Sequence, residues 1–363
     1  MTSLLRAPFP WFGGKSRAAQ LIWQRLGEVS NYVEPFAGSL AVLLGRPTEP
    51  RVETVNDLDA MVANFWRAVQ AAPAEVAQHA DWPVSEPDLH ARHRWLVAQL
   101  PAHRERALSD PDYFDVKIAG WWVWGLSQWI GGGWCADYIC WGDDKDPEKR
   151  RPACTGNTGG MGVHAVSLSG TPSRRRPRLG ATGSGGAGTG VFRKSAGQLP
   201  RCHGAGGTGT HGPRVEAIRE WFAVLQQRLR RVRVCCGDWQ RVMGPSVIYG
   251  SSSTGIVLDP PYSHSERDCG LYAVESNVSA EVRRWAIEHG DDPRLRIALC
   301  GYEGEHDMPP SWGCEAWMPV GGYGLQGSNR ARANRLRERV WFSPHCLHPL
   351  QGQLVLHGVQ GAA

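Results

Sequence analysis

The apolar run Ile256-Val257-Leu258 stops abruptly at Asp259-Pro260-Pro261-Tyr262. Three aliphatic residues bounded by turn formers read as a short buried strand. Each proline fixes φ and lacks an N–H, so the sheet ladder ends there and the carbonyls are free to face a ligand. A carboxylate and a carbonyl accept hydrogen bonds from an amino group, and the Tyr262 ring can stack on a flat base. Together these groups can hold an exocyclic amine while its nitrogen attacks an electrophile. A plain strand followed by a Pro-Pro turn accounts for the four residues equally well, so their context decides.

That context is a compact α/β pattern. Ser16 to Leu26 carries helical apolar spacing at Ala19, Ile22, Trp23 and Leu26. Asn31 to Pro35 reads as a strand ending in a turn, Leu40 to Leu44 as the start of a helix, Val52 to Val55 as a strand, and Asp59 to Val69 as a helix. Residues 71–120 are helical and polar, with turn breakers. Order returns with the stripe Ile218, Phe222, Leu225, Leu229, followed by strands at 232–236, 256–258 and 295–300, a helix at 281–288, and late strands at 339–342 and 353–356. Alternating strands and helices predict an α/β sheet with helices on both faces.

Between these halves the composition shifts. Residues 154–212 are rich in Gly, Ser, Thr and Arg, and read as a long, flexible loop that orders on binding a partner. The whole chain's net charge of +5 is modest but unevenly distributed: from Arg150 to Arg233 the only acids are Glu216 and Glu220, and such a basic stretch suits a phosphate backbone. Arg174, Arg175, Arg176 and Arg178 form the densest basic run; a solvated loop would look the same. Trp121, Trp122, Trp124, Trp129, Trp134 and Trp141 cluster around Gly131-Gly132-Gly133, and most of them are expected in the core. The ten cysteines include no CxxC pair, and Cys135, Cys140, Cys154, Cys202, His203 and His211 have no common zinc spacing, so no metal site is expected. No apolar run approaches the roughly 18 residues that span a bilayer. Residues 1–8 lack the pattern of a signal peptide, and an intracellular protein is the expectation.

Four motifs fall at strand ends or near the N-terminus, where ligands bind in open α/β sheets. Pro10-Trp11-Phe12-Gly13-Gly14-Lys15 offers close backbone approach and a cation that can pair with a carboxylate. Val33-Glu34-Pro35-Phe36-Ala37-Gly38-Ser39 is a strand, tight turn and helix start that aim backbone N–H groups at a ligand, without a dinucleotide fingerprint or P-loop. Asn56-Asp57 ends the next strand, where an acid commonly grips ribose hydroxyls and Asp57 also qualifies as a helix cap. Asp259 to Tyr262 is the fourth, and Cys236-Gly237-Asp238-Trp239 ends the intervening strand, where an adenine ring fits.

With these pieces in order, the chain resembles the Dam-like (D12) adenine-N6 DNA methyltransferases, in particular the stand-alone versions of bacteriophages and prophages. The resemblance rests on Trp11 to Lys15, Glu34 to Gly38, Asn56-Asp57, Asp259 to Tyr262, and the tail from Asn334-Arg335 through Glu338 to Pro344. It covers about 1–70 and 215–345. It implies a Rossmann-like S-adenosylmethionine-dependent sheet, with a mainly helical and loop DNA-recognition region inserted. Residues 1–70 and 215–363 would be the catalytic domain and 71–214 the insert. It further implies cofactor contacts from Trp11, Gly13, Gly14, Lys15, Glu34, Pro35, Phe36, Gly38, Asp57, Asp238 and Asp259, and catalysis by Asp259, Pro260, Pro261 and Tyr262. One departure stands out: the family turn often carries a second glycine where this chain has Leu40.

The expected reaction is methyl transfer from S-adenosylmethionine to N6 of an adenine flipped out of double-stranded DNA. No metal or membrane is required, and the protein would be a monomer or weak dimer in the bacterial cytoplasm, phage-encoded or not. Cytosine-N4 methylation, RNA-adenine methylation and a catalytically silent DNA binder remain alternatives. Asp rather than Ser or Asn at position 259 favours adenine.

Overall fold

The computed structural model describes residues 5–9, 11, 14–49, 51–129, 134–135, 213–261, 278–317 and 336–348. The expected strand at 353–356 and the tail residues Asn334-Arg335 lie outside them. In chain order the elements are α1 (Ala18–Leu26), β1 (Asn31–Glu34), α2 (Ala41–Leu44), β2 (Val52–Asp57), α3 (Ala60–Ala71), α4 (Pro73–Ala80), α5 (Glu86–Ser109), α6 (Val116–Gln128), α7 (Pro213–Leu229), β3 (Val232–Cys236), α8 (Pro245–Ile248), β4 (Thr254–Leu258), α9 (Ser279–His289), β5 (Leu295–Tyr302), β6 (Gly313–Ala316) and β7 (Glu338–Phe342).

The seven strands form one sheet in the order β3-β2-β1-β4-β5-β7-β6. β1 pairs in parallel with both β2 and β4, β2 with β3, and β4 with β5. β7 runs antiparallel between β5 and β6. The order reverses between β1 and β4, and this switch point is where open α/β sheets leave a crevice beyond the strand ends. The two strands flanking it are buried along their whole length, as central parallel strands covered on both faces must be.

Side-chain alternation divides the core into two layers. Tyr32, Val257, Ala298 and Cys300 point into one layer, built mainly with α1, α3, α4, α6 and α7. Val33, Ile256, Leu258, Ile297 and Leu299 point into the other, with α8 and α9. The expected sheet with helices on both faces is therefore present. α7 forms because its stripe is apolar at helical spacing: Ile218, Phe222, Leu225 and Leu229 are all fully buried. α3 and α6 start where Asp59 and Asp115 accept the N–H groups of Met61 and Ile118, at 2.8 Å each.

The indole cluster is largely core: Trp122, Trp124, Trp129 and Trp134 are buried, and Trp121 packs against them. Trp141 lies outside the described residues. α4 packs on α6 and α7, so the helices of 73–128 share one continuous core with the sheet. Among the described residues no helix is long and apolar enough to cross a membrane.

Leu40 has φ 53°, in the left-handed region. An L-residue pays roughly 1–2 kcal/mol for this conformation. The Leu40 side chain is fully buried, and burying a leucine returns about 1.5–3 kcal/mol. The position thus keeps the backbone geometry that a glycine would adopt freely, while the side chain fills the core. Its neighbours Ser39 and Ala41 line the adjacent cleft, whereas Leu40 does not.

Candidate active site

The carboxyl ends of β1, β2, β3 and β4 surround a cleft of about 930 Å³, its open mouth included. Of the residues expected to touch cofactor or substrate, Trp11, Gly14, Lys15, Glu34, Pro35, Phe36, Gly38, Asp57, Asp238, Asp259 and Pro261 line it. Pro260 is buried and is not among the lining residues. Gly13, Tyr262, Arg174, Arg175, Arg176 and Arg178 lie outside the described residues. Val278, at the entry to α9, also lines the cleft. Nothing in the sequence around it marked it, because it stands well apart in the chain from Asp259 and its neighbours.

The turn after β1 is tied to the end of β2. The Gly38 N–H donates to Asp57 Oδ2 at 2.8 Å, and Ala37 N–H to the Asn56 carbonyl at 2.8 Å. The second Asp57 oxygen accepts from Asp59 N–H at 2.9 Å. The cap of α3 is Asp59 and not Asp57, which leaves Asp57 committed to the turn and the cleft. Gly38 adopts φ 44°, and a Cβ there would lie 2.4 Å from Trp11 Nε1. The Trp66 indole N–H holds the Gly38 carbonyl at 2.9 Å. The turn is thus clamped between two indoles and tolerates no side chain. Gly38→Ala is expected to displace Trp11 and weaken cofactor binding by roughly tenfold, with little change in kcat at saturation. Equal KM values for variant and wild type would contradict this.

Opposite this turn, the Asp238 side chain accepts Gln240 N–H at 2.9 Å and starts a 3-10 turn at Trp239–Val242. That turn brings Trp239 against Phe36, with ring centroids 6.2 Å apart and planes 27° from parallel. The two rings give the β1 and β3 sides of the cleft a flat apolar wall.

At the switch point, Lys15 Nζ pairs with Asp259 Oδ1 at 2.7 Å, and the lysine is only 3% exposed. Burial alone would pull the Lys15 ammonium down; Asp259 and then Glu338 outweigh it and push it up. Burial raises the Asp259 carboxyl, and Lys15 opposes that shift. Burial also lifts Glu34 to about 8, although the Tyr32 hydroxyl donates to it at 2.9 Å. Asp57 is pushed up to about 7 by burial and by Asp59, against the backbone N–H groups it accepts. Titrating groups moved this far together are characteristic of functional clefts.

The charge balance of the cleft is specific. Among the described residues its lining includes the acids Glu34, Asp57, Asp59, Asp238 and Asp259 and a single base, Lys15. Such a lining repels phosphate and favours a cationic ligand. Among the described residues no group of three His, Cys, Asp or Glu side chains is placed to hold a metal ion.

Comparison with known proteins agrees with this geometry. Residues 11–114 match the family described as D12 class N6 adenine-specific DNA methyltransferase. No curated protein matches the chain. The matched span contains Trp11, Lys15, the turn after β1 and Asp57, which together make one side of the cleft. Residues 11–114 are thus a segment of the D12 class of N6 adenine-specific DNA methyltransferases, and the chain is an S-adenosylmethionine-dependent enzyme of adenine N6 methylation in DNA.

Proposed function

We propose that the cleft holds S-adenosylmethionine between the β1 and β3 turns and presents the target adenine to it at Asp259. The observation that carries this reading is the acidic lining around a single paired lysine. The cofactor carries a sulfonium and an ammonium against one carboxylate, a net cation that this lining complements. Asp57 would take the ribose hydroxyls, the Phe36 and Trp239 side the adenine ring, and Lys15 the carboxylate while it stays in contact with Asp259. Trp11, the glycines at 14 and 38, and Glu34 would complete the pocket, with Gly13 assigned to it from the sequence.

When bound, the cofactor supplies a methyl group on a positively charged sulfur. Asp259 does the orienting. Lys15 holds Oδ1, leaving Oδ2, with the Pro260 carbonyl, to accept hydrogen bonds from the adenine amino group and aim its lone pair. These acceptors stabilise positive charge as it develops on N6, and holding both partners in line supplies much of the rest. The proton released from N6 passes toward the Asp259 carboxylate, whose raised pKa suits that role. Tyr262 would stack on the base. The acidic lining keeps phosphates out, so the base must leave a duplex to enter.

Target recognition in double-stranded DNA is assigned to 71–214, with the arginines at 174, 175, 176 and 178 on phosphates. The supporting feature is the concentration of basic residues between 150 and 233. The enzyme is taken to work as a monomer or weak dimer in the bacterial cytoplasm.

The cofactor assignment is tested by calorimetric titration of S-adenosylmethionine as pH is varied. Ribose hydroxyls donate to the ionised Asp57, so binding strengthens as pH rises to about 7. Below that value affinity falls by up to about tenfold per pH unit. The sign for stability is opposite. A carboxyl raised above its unfolded value contributes stability that is complete below its ordinary range and lost as pH rises through about 7. The cofactor-free enzyme should therefore lose stability over the range where the cofactor gains affinity. Asp57→Ala should weaken binding roughly tenfold to a hundredfold and abolish the pH dependence. A pH-independent affinity in the wild type, unaffected by Asp57→Ala, would remove the cofactor from this cleft.

A further inference from the structure

β2 lies between β1 and β3 in the sheet, and its penultimate residue, Asn56, reaches both neighbouring turns. Its Nδ2 donates to the Pro35 carbonyl at 3.1 Å and to the Gly237 carbonyl at 2.9 Å. Its own carbonyl accepts Ala37 N–H at 2.8 Å. One residue therefore spans from the turn after β1 to the turn after β3, and both turns line the cleft.

The chemistry of the amide explains the choice of residue. A primary amide of this length carries two N–H groups and can satisfy two carbonyls at once. An ionised aspartate of the same shape offers none and would repel both. The arrangement also has a cost: Asn56 is 1% exposed, and its Oδ1 is buried with no hydrogen-bond partner. Native interiors rarely leave such an acceptor unmatched without a reason. An apolar side chain would fill the space without that penalty, but it would leave two turn carbonyls unheld.

We infer that Asn56 is a positioning residue that sets the separation of the β1 and β3 turns, and hence the width of the cofactor cleft. Asn56 itself borders the cleft, but both of its donors are spent on the Pro35 and Gly237 carbonyls and none is left for a ligand. The inference rests on the assignment of this cleft to S-adenosylmethionine. It predicts a defect confined to the cofactor: KM for S-adenosylmethionine rises, while kcat at saturating cofactor and affinity for DNA stay close to wild type.

The test uses the full chain with Asn56→Asp and Asn56→Ser, measuring S-adenosylmethionine affinity by calorimetry and Tm with and without cofactor, across neutral pH. Asn56→Asp should bind roughly tenfold to a hundredfold more weakly. Its affinity should worsen as pH rises and the new carboxylate ionises, the reverse of the wild-type trend. Asn56→Ser keeps one donor on a shorter arm and should recover part of the loss. Wild-type affinity in both variants overturns the inference. So does a cofactor-induced rise in Tm equal to that of wild type, whatever the cofactor-free Tm, and so does failure of both variants to fold, since each makes Asn56 merely structural. Asp57→Ala measured alongside separates the two ideas. If it loses binding while the Asn56 variants bind normally, only the positioning role fails. If all three bind like wild type, the cleft assignment fails.

Discussion

Asp259→Ala is expected to lower kcat for methyl transfer by about 10²- to 10³-fold or more, while DNA affinity changes little. In the proposed reading this residue supplies the carboxylate that orients the amino nitrogen. The variant also takes from the buried Lys15 the carboxylate it pairs with at 2.7 Å. Breaking a buried pair from one side typically costs about 3–5 kcal/mol. A loss of activity could therefore be confused with a loss of fold. The double variant Lys15→Met, Asp259→Asn removes both charges and should regain most of the stability without regaining activity. If either variant kept near-wild-type kcat, Asp259 would not be the orienting carboxylate.

Glu53→Gln should cause the largest loss of stability of any single change away from the cleft. Glu53 is 2% exposed and sits between two arginines. Arg46 Nη1 reaches Oε1 at 3.2 Å; Arg228 reaches Oε2 at 2.6 Å through Nη1 and Oε1 at 2.8 Å through Nη2. The arginines also hold the carbonyls of Val29 and Leu43, at 2.8 and 3.0 Å. The network thus fastens α7, the first element described after the Gly/Arg-rich stretch, to β2 and to the end of α2. The amide leaves the buried Arg46 and the part-buried Arg228 guanidinium groups without a counter-charge, at a cost of about 3–5 kcal/mol. The corresponding fall in Tm is on the order of 10 °C. Glu53 opens β2 at the end opposite Asp57, so kcat of the folded variant should be unchanged. An unaltered Tm would show that the pairs contribute no net stability.

The fold was legible wherever burial imposes a pattern. The stripe on α7 and the apolar runs of β4 and β5 are core segments, and their residue types record that directly. β6 escaped notice because Gly313-Cys314-Glu315-Ala316 is an edge strand, half exposed and paired only with β7, so nothing forces its residues to be apolar. α8 is a single turn with too few residues to show a period.

The candidate site divides along the same physical line. Gly38, Asp57 and Asp259 could be read because strand ends and turns restrict which residues fit there. Partnership could not be read from spacing alone. Lys15 suggested a carboxylate partner without saying which one, and Asp259 is brought to it only by the β1–β4 crossover. The double hydrogen bond of Asn56 depends on two carbonyls from distant turns, and the Glu53 network joins β2 to a helix far along the chain. Leu40 stands where the family turn often carries a glycine; its backbone takes the left-handed conformation and its side chain lies in the core.

The most direct test of the whole account is incubation of the purified protein with tritiated S-adenosylmethionine and unmethylated bacterial DNA, followed by digestion to nucleosides and chromatography. The account predicts label in N6-methyldeoxyadenosine. Label in N4-methyldeoxycytidine would contradict the base that Asp259 is taken to orient, and an absence of label with DNA still bound would contradict catalysis at this cleft.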